Sequence, residues 1–169
     1  MSSRLPRTSA REAPENLAIL LREPFRAMTD ELMVRLAAHG HPEVRAAHAA
    51  VFEFLDDAGT RVSVLADRAR MTKQSMTELV VHLERHGYVE RVPDPADGRA
   101  KLVRATDRGR EVYAIARDAM LEVQERLDAR LGAERMATLR TLLQEVGDEL
   151  GSTKSSLNHR WSSSGGRAG

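Results

Sequence analysis

Hydrophobic positions recur at spacings of three and four residues over most of the chain, which is the period of an amphipathic helix. The pattern predicts a first helix over residues 15–38, in which Pro24 marks either a kink or the true start. Pro42 then suits the first position of a second helix, which ends near Asp57. A short third helix follows, with Ser63 as its expected N-cap.

After the fourth predicted helix, the spacing of the apolar residues changes from helical to alternating. Thr72 caps this helix, and Gly87 ends it after His86. Residues 88–92 then alternate between apolar and polar side chains, a turn-rich segment follows, and residues 101–105 return as a second strand. Two helices joined by a tight turn and followed by a β-hairpin predict a winged helix-turn-helix domain. The expected fold class is therefore mainly α with a small β-hairpin wing.

Two further helices are predicted after the hairpin. Thr106 and Asp107 begin a long helix that reaches about Arg130, and Gly132 separates it from the last one. The last helix carries an apolar seam with 3,4 spacing, formed by Met136, Leu139, Leu143, Val146 and Leu150. An apolar seam of this kind must be buried against another surface. Either a second copy of the chain or other helices of the same subunit provide it.

Charge is unevenly distributed, although the net charge is only +1. Residues 60–110 contain eleven Lys and Arg and seven Asp and Glu, which gives this segment a net charge of +4. The rest of the chain has a net charge of −3. A basic middle segment favours an anionic partner such as double-stranded DNA, and a merely solvated surface is the alternative. The chain has no cysteine, which excludes disulfides and thiolate metal sites. Since neither a secretory signal nor a membrane span is recognisable, we expect a cytoplasmic protein.

The outward face of the fourth helix carries the candidate base-reading residues. Recognition helices present their first turns to the major groove, and the polar residues there are Thr72, Lys73, Gln74, Ser75, Thr77 and Glu78. Gln74 can pair with adenine and Glu78 can accept from cytosine, while the methyl group of Thr77 can touch thymine. A solvated helix face is the alternative interpretation.

The predicted hairpin adds a second candidate contact with DNA. Arg99 follows Gly98 in the predicted turn, which suits a guanidinium inserted into a narrow minor groove. Asp97 is placed to hold that arginine when DNA is absent. Lys101 and Arg104 on the returning strand are candidates for phosphate contacts.

The run from Asp94 to Gly109 resembles the wing signature of the MarR family of winged-helix regulators. The matching positions are Asp97, Arg99, Thr106 and Gly109, and Ala105 stands where the family has a leucine. Residues 61–92 are similar to the family's helix-turn-helix. The resemblance covers about residues 44–150.

The resemblance implies a homodimeric transcriptional regulator, more often a repressor, on a pseudo-palindromic operator with half-sites about one helical turn apart. It also implies release from DNA by a small aromatic or anionic effector. The chain then divides into a flexible arm at 1–14, a dimerisation region at 15–42 and 107–150, a winged helix-turn-helix domain at 43–106, and a disordered tail at 151–169.

Histidines are the candidate effector ligands. His48 is the only polar residue on the apolar stripe of its helix, so it lines a ligand pocket or is a satisfied core histidine. His39 is the second candidate. His39 and His41 lie close to Glu43 in the sequence, but loop histidines are usually solvated, and we predict no metal and no cofactor.

Two other function classes compete with this prediction. A winged-helix module that binds proteins instead of DNA is the alternative, although its surface would more often be apolar than basic. An enzyme is not expected, because the sequence has no Gly-rich phosphate loop, no HExxH motif and no cysteine nucleophile.

Overall fold

The computed structural model describes residues 16–151. In this range the chain forms six α-helices, one 3₁₀ turn and one β-hairpin, in agreement with the predicted fold class. The elements are α1 (Leu17–Ala38), the 3₁₀ turn (Ala46–His48), α2 (Ala49–Phe54), α3 (Val62–Arg68), α4 (Lys73–Arg85), β1 (Val89–Asp94), β2 (Asp97–Ala105), α5 (Asp107–Leu131) and α6 (Ala133–Glu149). The predicted arm at 1–14 and all of the predicted tail after Gly151 lie outside the described residues.

The helix starts show where local sequence signals were overridden. Pro24 lies inside α1, so the alternative that it marks the start is wrong; Asn16 caps that helix. The prediction that Pro42 begins the second helix is also wrong. Arg45 is extended, with φ −119° and ψ 160°, and its N–H donates to His48 Nδ1 over 2.9 Å, so the helical turn begins only at Ala46.

The N-cap residue of the third helix also differs from the prediction. Arg61, not Ser63, occupies the N-cap position of α3. Arg61 makes no side-chain capping bond there, because a guanidinium has no acceptor; it donates instead to Asp94 of the hairpin. A long-range ion pair therefore lies at the start of this helix, two residues before the serine that the local preference predicted as its cap.

The fourth helix and its ends agree with prediction. Thr72 Oγ1 accepts from the N–H of Ser75 over 3.1 Å at the start of α4, and Gly87 follows its end with φ +75°. The hairpin is longer than predicted, because Asp94 pairs with Asp97 and only two residues form the turn. Arg99 therefore lies in β2 and not in the turn.

The core joins α1 and α2 to α4, the hairpin and the start of α5. Its fully buried side chains include Leu36, Leu55, Leu65, Met76, Val80, Leu83, Tyr88 and Val103. Thr60 forms an isolated antiparallel bridge with Val103, with both hydrogen bonds 2.9 Å long. This bridge fastens β2 to the segment that leads into α3.

The first turn of α5 is fastened to the root of the hairpin. Thr106 caps α5 by accepting from the N–H of Gly109 over 3.1 Å, and its hydroxyl also lies 2.6 Å from the carbonyl of Gly87. A Cβ on Gly109 would stand only 2.1 Å from the carbonyl oxygen of Tyr88. Only glycine allows this approach of helix and strand.

Helices α1 and α6 both pack against α5. Ion pairs join α1 to α5, with Glu31 bonded to Arg126 and Arg35 to Glu122, and these bonds lower the pKa of both carboxyls. Many large apolar side chains of α1 and α6 remain exposed, among them Leu17, Leu20, Phe25, Leu139, Leu142 and Leu143. Among the described helices, none is both long and apolar enough to span a membrane.

Candidate nucleic-acid interface

Helix α4 separates a buried face from a polar one. Met76, Val80 and Leu83 are buried in the core, as the apolar spacing predicts. Gln74 and Glu78 are exposed, and Gln74 Nε2 donates to Glu78 Oε1 over 3.4 Å. A donor and an acceptor one helical turn apart are therefore available to a ligand that meets this face.

The hydroxyl groups at the start of α4 are engaged by the helix itself. Thr72 Oγ1 donates to Ser75 Oγ over 2.9 Å while it caps the helix. Thr77 Oγ1 donates to the carbonyl of Lys73 over 2.6 Å. These predicted contact residues therefore order the first turns, and the hydroxyls of Thr72 and Thr77 are not free donors for an incoming ligand.

The hairpin is anchored to α3 by a residue that the sequence pattern did not single out. Arg61 donates to Asp94 Oδ2 through Nε at 2.7 Å and through Nη2 at 2.6 Å. The pKa of Asp94 is lowered, first by the hydrogen bond from the N–H of Ala96 and then by that from Arg61. Arg61 and Asp94 are 33 residues apart, so no local pattern indicated this pair.

The predicted wing residues differ in how their charges are used. Asp97 Oδ1 accepts from the backbone N–H of Arg99 over 3.1 Å, and Asp97 Oδ2 lies 3.5 Å from Arg61. Arg104 pairs with Glu90 across the hairpin at 2.8 Å. Within residues 16–151 no ion pair engages Lys73, Arg99 or Lys101, and all three side chains are exposed.

The candidate effector histidines lie in different surroundings. His48 is 3% exposed, and its ring stacks on His82 at 4.6 Å, which in turn lies 4.4 Å from His86. Burial, followed by the charges of His82 and Arg45, lowers the pKa of His48 to about 4. His39 is exposed at the end of α1, where its Nδ1 lies 2.8 Å from the carbonyl of Arg35.

The cluster of three histidine rings, of which His48 and His82 are stacked and His86 is tilted, was not predicted. The spacing of His82 and His86 by four residues on one helix was an available signal, but the contact with His48 depends on the tertiary fold. Across the described residues, no group of three or more His, Asp or Glu is placed to hold a metal ion.

A helix-turn-helix followed by a β-hairpin defines a winged-helix protein. The MarR family model matches residues 44–100. The chain is 40% identical over 88 residues to an uncharacterized HTH-type transcriptional regulator of Mycobacterium bovis, a match covering 50% of this chain and 56% of the relative. It is 30% identical over 91 residues to the transcriptional regulator HosA of Escherichia coli, covering 54% of this chain and 67% of HosA.

The solved structures agree. The reduced form of MarR from E. coli superposes with a TM-score of 0.66 at 23% identity, over 80% of this chain and 98% of that one. The chain belongs to the MarR family. Its named relatives in these comparisons are transcriptional regulators, although the match spans little more than half the length of the mycobacterial relative.

Proposed function

We propose that the protein is a homodimeric, sequence-specific DNA-binding regulator that represses transcription from a pseudo-palindromic operator. In this proposal α4 enters the major groove and the hairpin contacts the adjacent minor groove. The observation that carries it is the exposed charge of Lys73, Arg99 and Lys101 on the winged-helix domain, which no ion pair engages within residues 16–151. Cations without a protein partner favour a polyanion, because binding releases the counterions condensed on it.

DNA binding is tested with the promoter region of the protein's own gene, measured by fluorescence anisotropy over a range of salt concentrations. Arg99→Ala should weaken binding and reduce the salt slope by about 1 for each phosphate that the guanidinium neutralises. Gln74→Ala should weaken binding to the operator more than binding to random DNA, because a base contact carries sequence information. Arg117→Ala, which removes an exposed arginine of α5, is the matched control.

Unchanged affinity and unchanged salt slope for both variants would exclude this assignment of the surface. The direction of regulation is measured separately, by transcription in vitro from the same promoter. A repressor lowers the transcript yield in proportion to operator occupancy.

The dimer is supported by the apolar residues that α1 and α6 leave exposed. Leu139 and Leu143 are 44% and 40% exposed, although each lies on a seam with helical spacing. A second copy of the chain covers such a seam in this proposal. Sedimentation velocity should show a dimer, and Leu139→Glu with Leu143→Glu should give a monomer. Thr141→Glu on the same helix is the control; a monomeric wild type would contradict the proposal.

A small aromatic or anionic effector completes the proposal. A ligand that binds the DNA-free state more tightly than the DNA-bound state shifts the population towards release. Thermal-shift measurements against phenolic acids test this, because a ligand of the native state raises the melting temperature. A compound that raises the melting temperature must also weaken operator binding, and one that does not is no effector.

A further inference from the structure

The exposed face of α4 is divided into two stripes, each formed by residues four apart. Gln74 and Glu78 form the polar stripe, joined by their side-chain hydrogen bond. Thr77, which is half-buried, and Val81, which is exposed, form the second stripe, which lies beside it on the helix surface. The same row begins at Lys73 and ends at Arg85, so its two uncharged positions lie between two cations.

Thr77 contributes a methyl group to this stripe. Its hydroxyl donates to the carbonyl of Lys73 over 2.6 Å, so the polar half of the side chain is already satisfied by the helix. The hydrogen bond also fixes the side-chain rotamer. What remains for an incoming ligand is the methyl group of Thr77.

Val81 extends the same apolar surface by one turn. Its side chain is 48% exposed, whereas Val80 next to it is fully buried. Solvent exposure of a single valine is ordinary. Here, however, the valine lies one turn from the methyl of Thr77, on the helix that enters the major groove under the proposed function.

The major groove offers one apolar group among the base edges, the 5-methyl group of thymine. We propose that Val81 is a specificity-determining residue, which together with the methyl of Thr77 reads thymine methyl groups in each half-site. The neighbouring pair of Gln74 and Glu78 reads the amino groups of adenine and cytosine in the adjoining base pairs. This inference rests on the proposed DNA-binding function and adds the chemistry of the recognised bases.

The test removes one methyl group at a time without changing base pairing. Operator duplexes carry deoxyuridine in place of each thymine of one half-site in turn, and anisotropy gives the dissociation constants. For the wild type, one or two positions should weaken binding about fourfold each, the value expected for one methyl group returned to water. The remaining positions should leave the affinity unchanged.

Variants of Val81 attribute the effect to this side chain. In Val81→Ala, replacement of the sensitive thymine should weaken binding clearly less than it does in the wild type, because only the methyl group of the new alanine and that of Thr77 remain to contact the thymine. Val81→Ile keeps a branched apolar side chain and should preserve the sensitivity to deoxyuridine. Melting temperatures of both variants should match the wild type, since position 81 is exposed.

The two levels of the proposal fail in different ways. If the protein does not prefer its promoter region over random DNA, the proposed function itself is wrong. If it does, and no deoxyuridine substitution changes the affinity, thymine methyl groups are not read and the inference is overturned. It is also overturned if Val81→Ala remains as sensitive to deoxyuridine as the wild type.

Discussion

Acidification from pH 7 to pH 5 should destabilise the protein through His48. The ring is buried against His82, and its pKa is lowered from 6.5 to about 4. Between these two values the unfolded chain binds a proton that the folded chain excludes. The free energy of unfolding therefore falls as the pH drops below about 6.5, and it stops falling through this group below about pH 4.

The magnitude follows from the separation of the two pKa values. Between these two pKa values, lowering the pH by one unit lowers the free energy of unfolding by about 1.4 kcal/mol. From pH 7 to pH 5 the expected decrease in stability is therefore about 2 kcal/mol, a large share of the stability of an ordinary domain. The lowered pKa values of Glu43 and Asp94 add to this decrease only near and below their ordinary values of 4.5 and 3.8.

The assay is urea unfolding at pH 7 and pH 5, followed by circular dichroism. The decrease in stability should be about 2 kcal/mol smaller for His48→Gln than for the wild type, because glutamine has no proton to gain. Each protein serves as its own reference, so a lower stability of the variant at pH 7 does not affect the comparison. His39→Gln, which changes an exposed histidine, is the control. An equal decrease for wild type and His48→Gln would refute the reasoning.

Three further perturbations test contacts described above. Gly109→Ala should lower the free energy of unfolding in urea by about 1–3 kcal/mol, because its Cβ would collide with the carbonyl of Tyr88. Gly98→Ala is the control and should leave the stability nearly unchanged, because its Cβ would have no neighbour within 4 Å. Asp94→Asn weakens the anchor from the guanidinium, so hairpin amides should exchange with solvent faster while those of α6 do not change; unaltered hairpin exchange would argue against the anchor. Thr72→Ala should cost about 1 kcal/mol through removal of the N-cap of α4, and an unchanged urea midpoint would contradict that role.

The sequence predicted those parts of the fold that depend on neighbouring residues. The cap at Thr72, the end of α4 at Gly87 and the start of α5 at Asp107 all rest on hydrogen bonds or backbone angles within a few positions. The apolar spacing of α4 also identified its buried face. Local chemistry was sufficient wherever no distant residue competed with it.

The failures occur where a distant residue decides the outcome. Ser63 does not cap α3; Arg61 occupies that position, and its guanidinium is bound to a carboxylate of the hairpin. Arg99 was expected in the turn, but the hydrogen bond from Ala96 to Asp94 closes a tighter turn and leaves Arg99 on β2. Sequence spacing carries no information about such pairings until the fold has brought them together.

The close approach at Gly109 has a mechanical consequence. Since the first turn of α5 is fastened to the root of the hairpin, the two have no hinge between them. The helix has 25 residues and is about 37 Å long. A tilt of about 5° at its fastened end displaces the far end by about 3 Å. We therefore expect α5 and the hairpin to move as one rigid unit, so that a small displacement of the distal end of α5 rotates the hairpin.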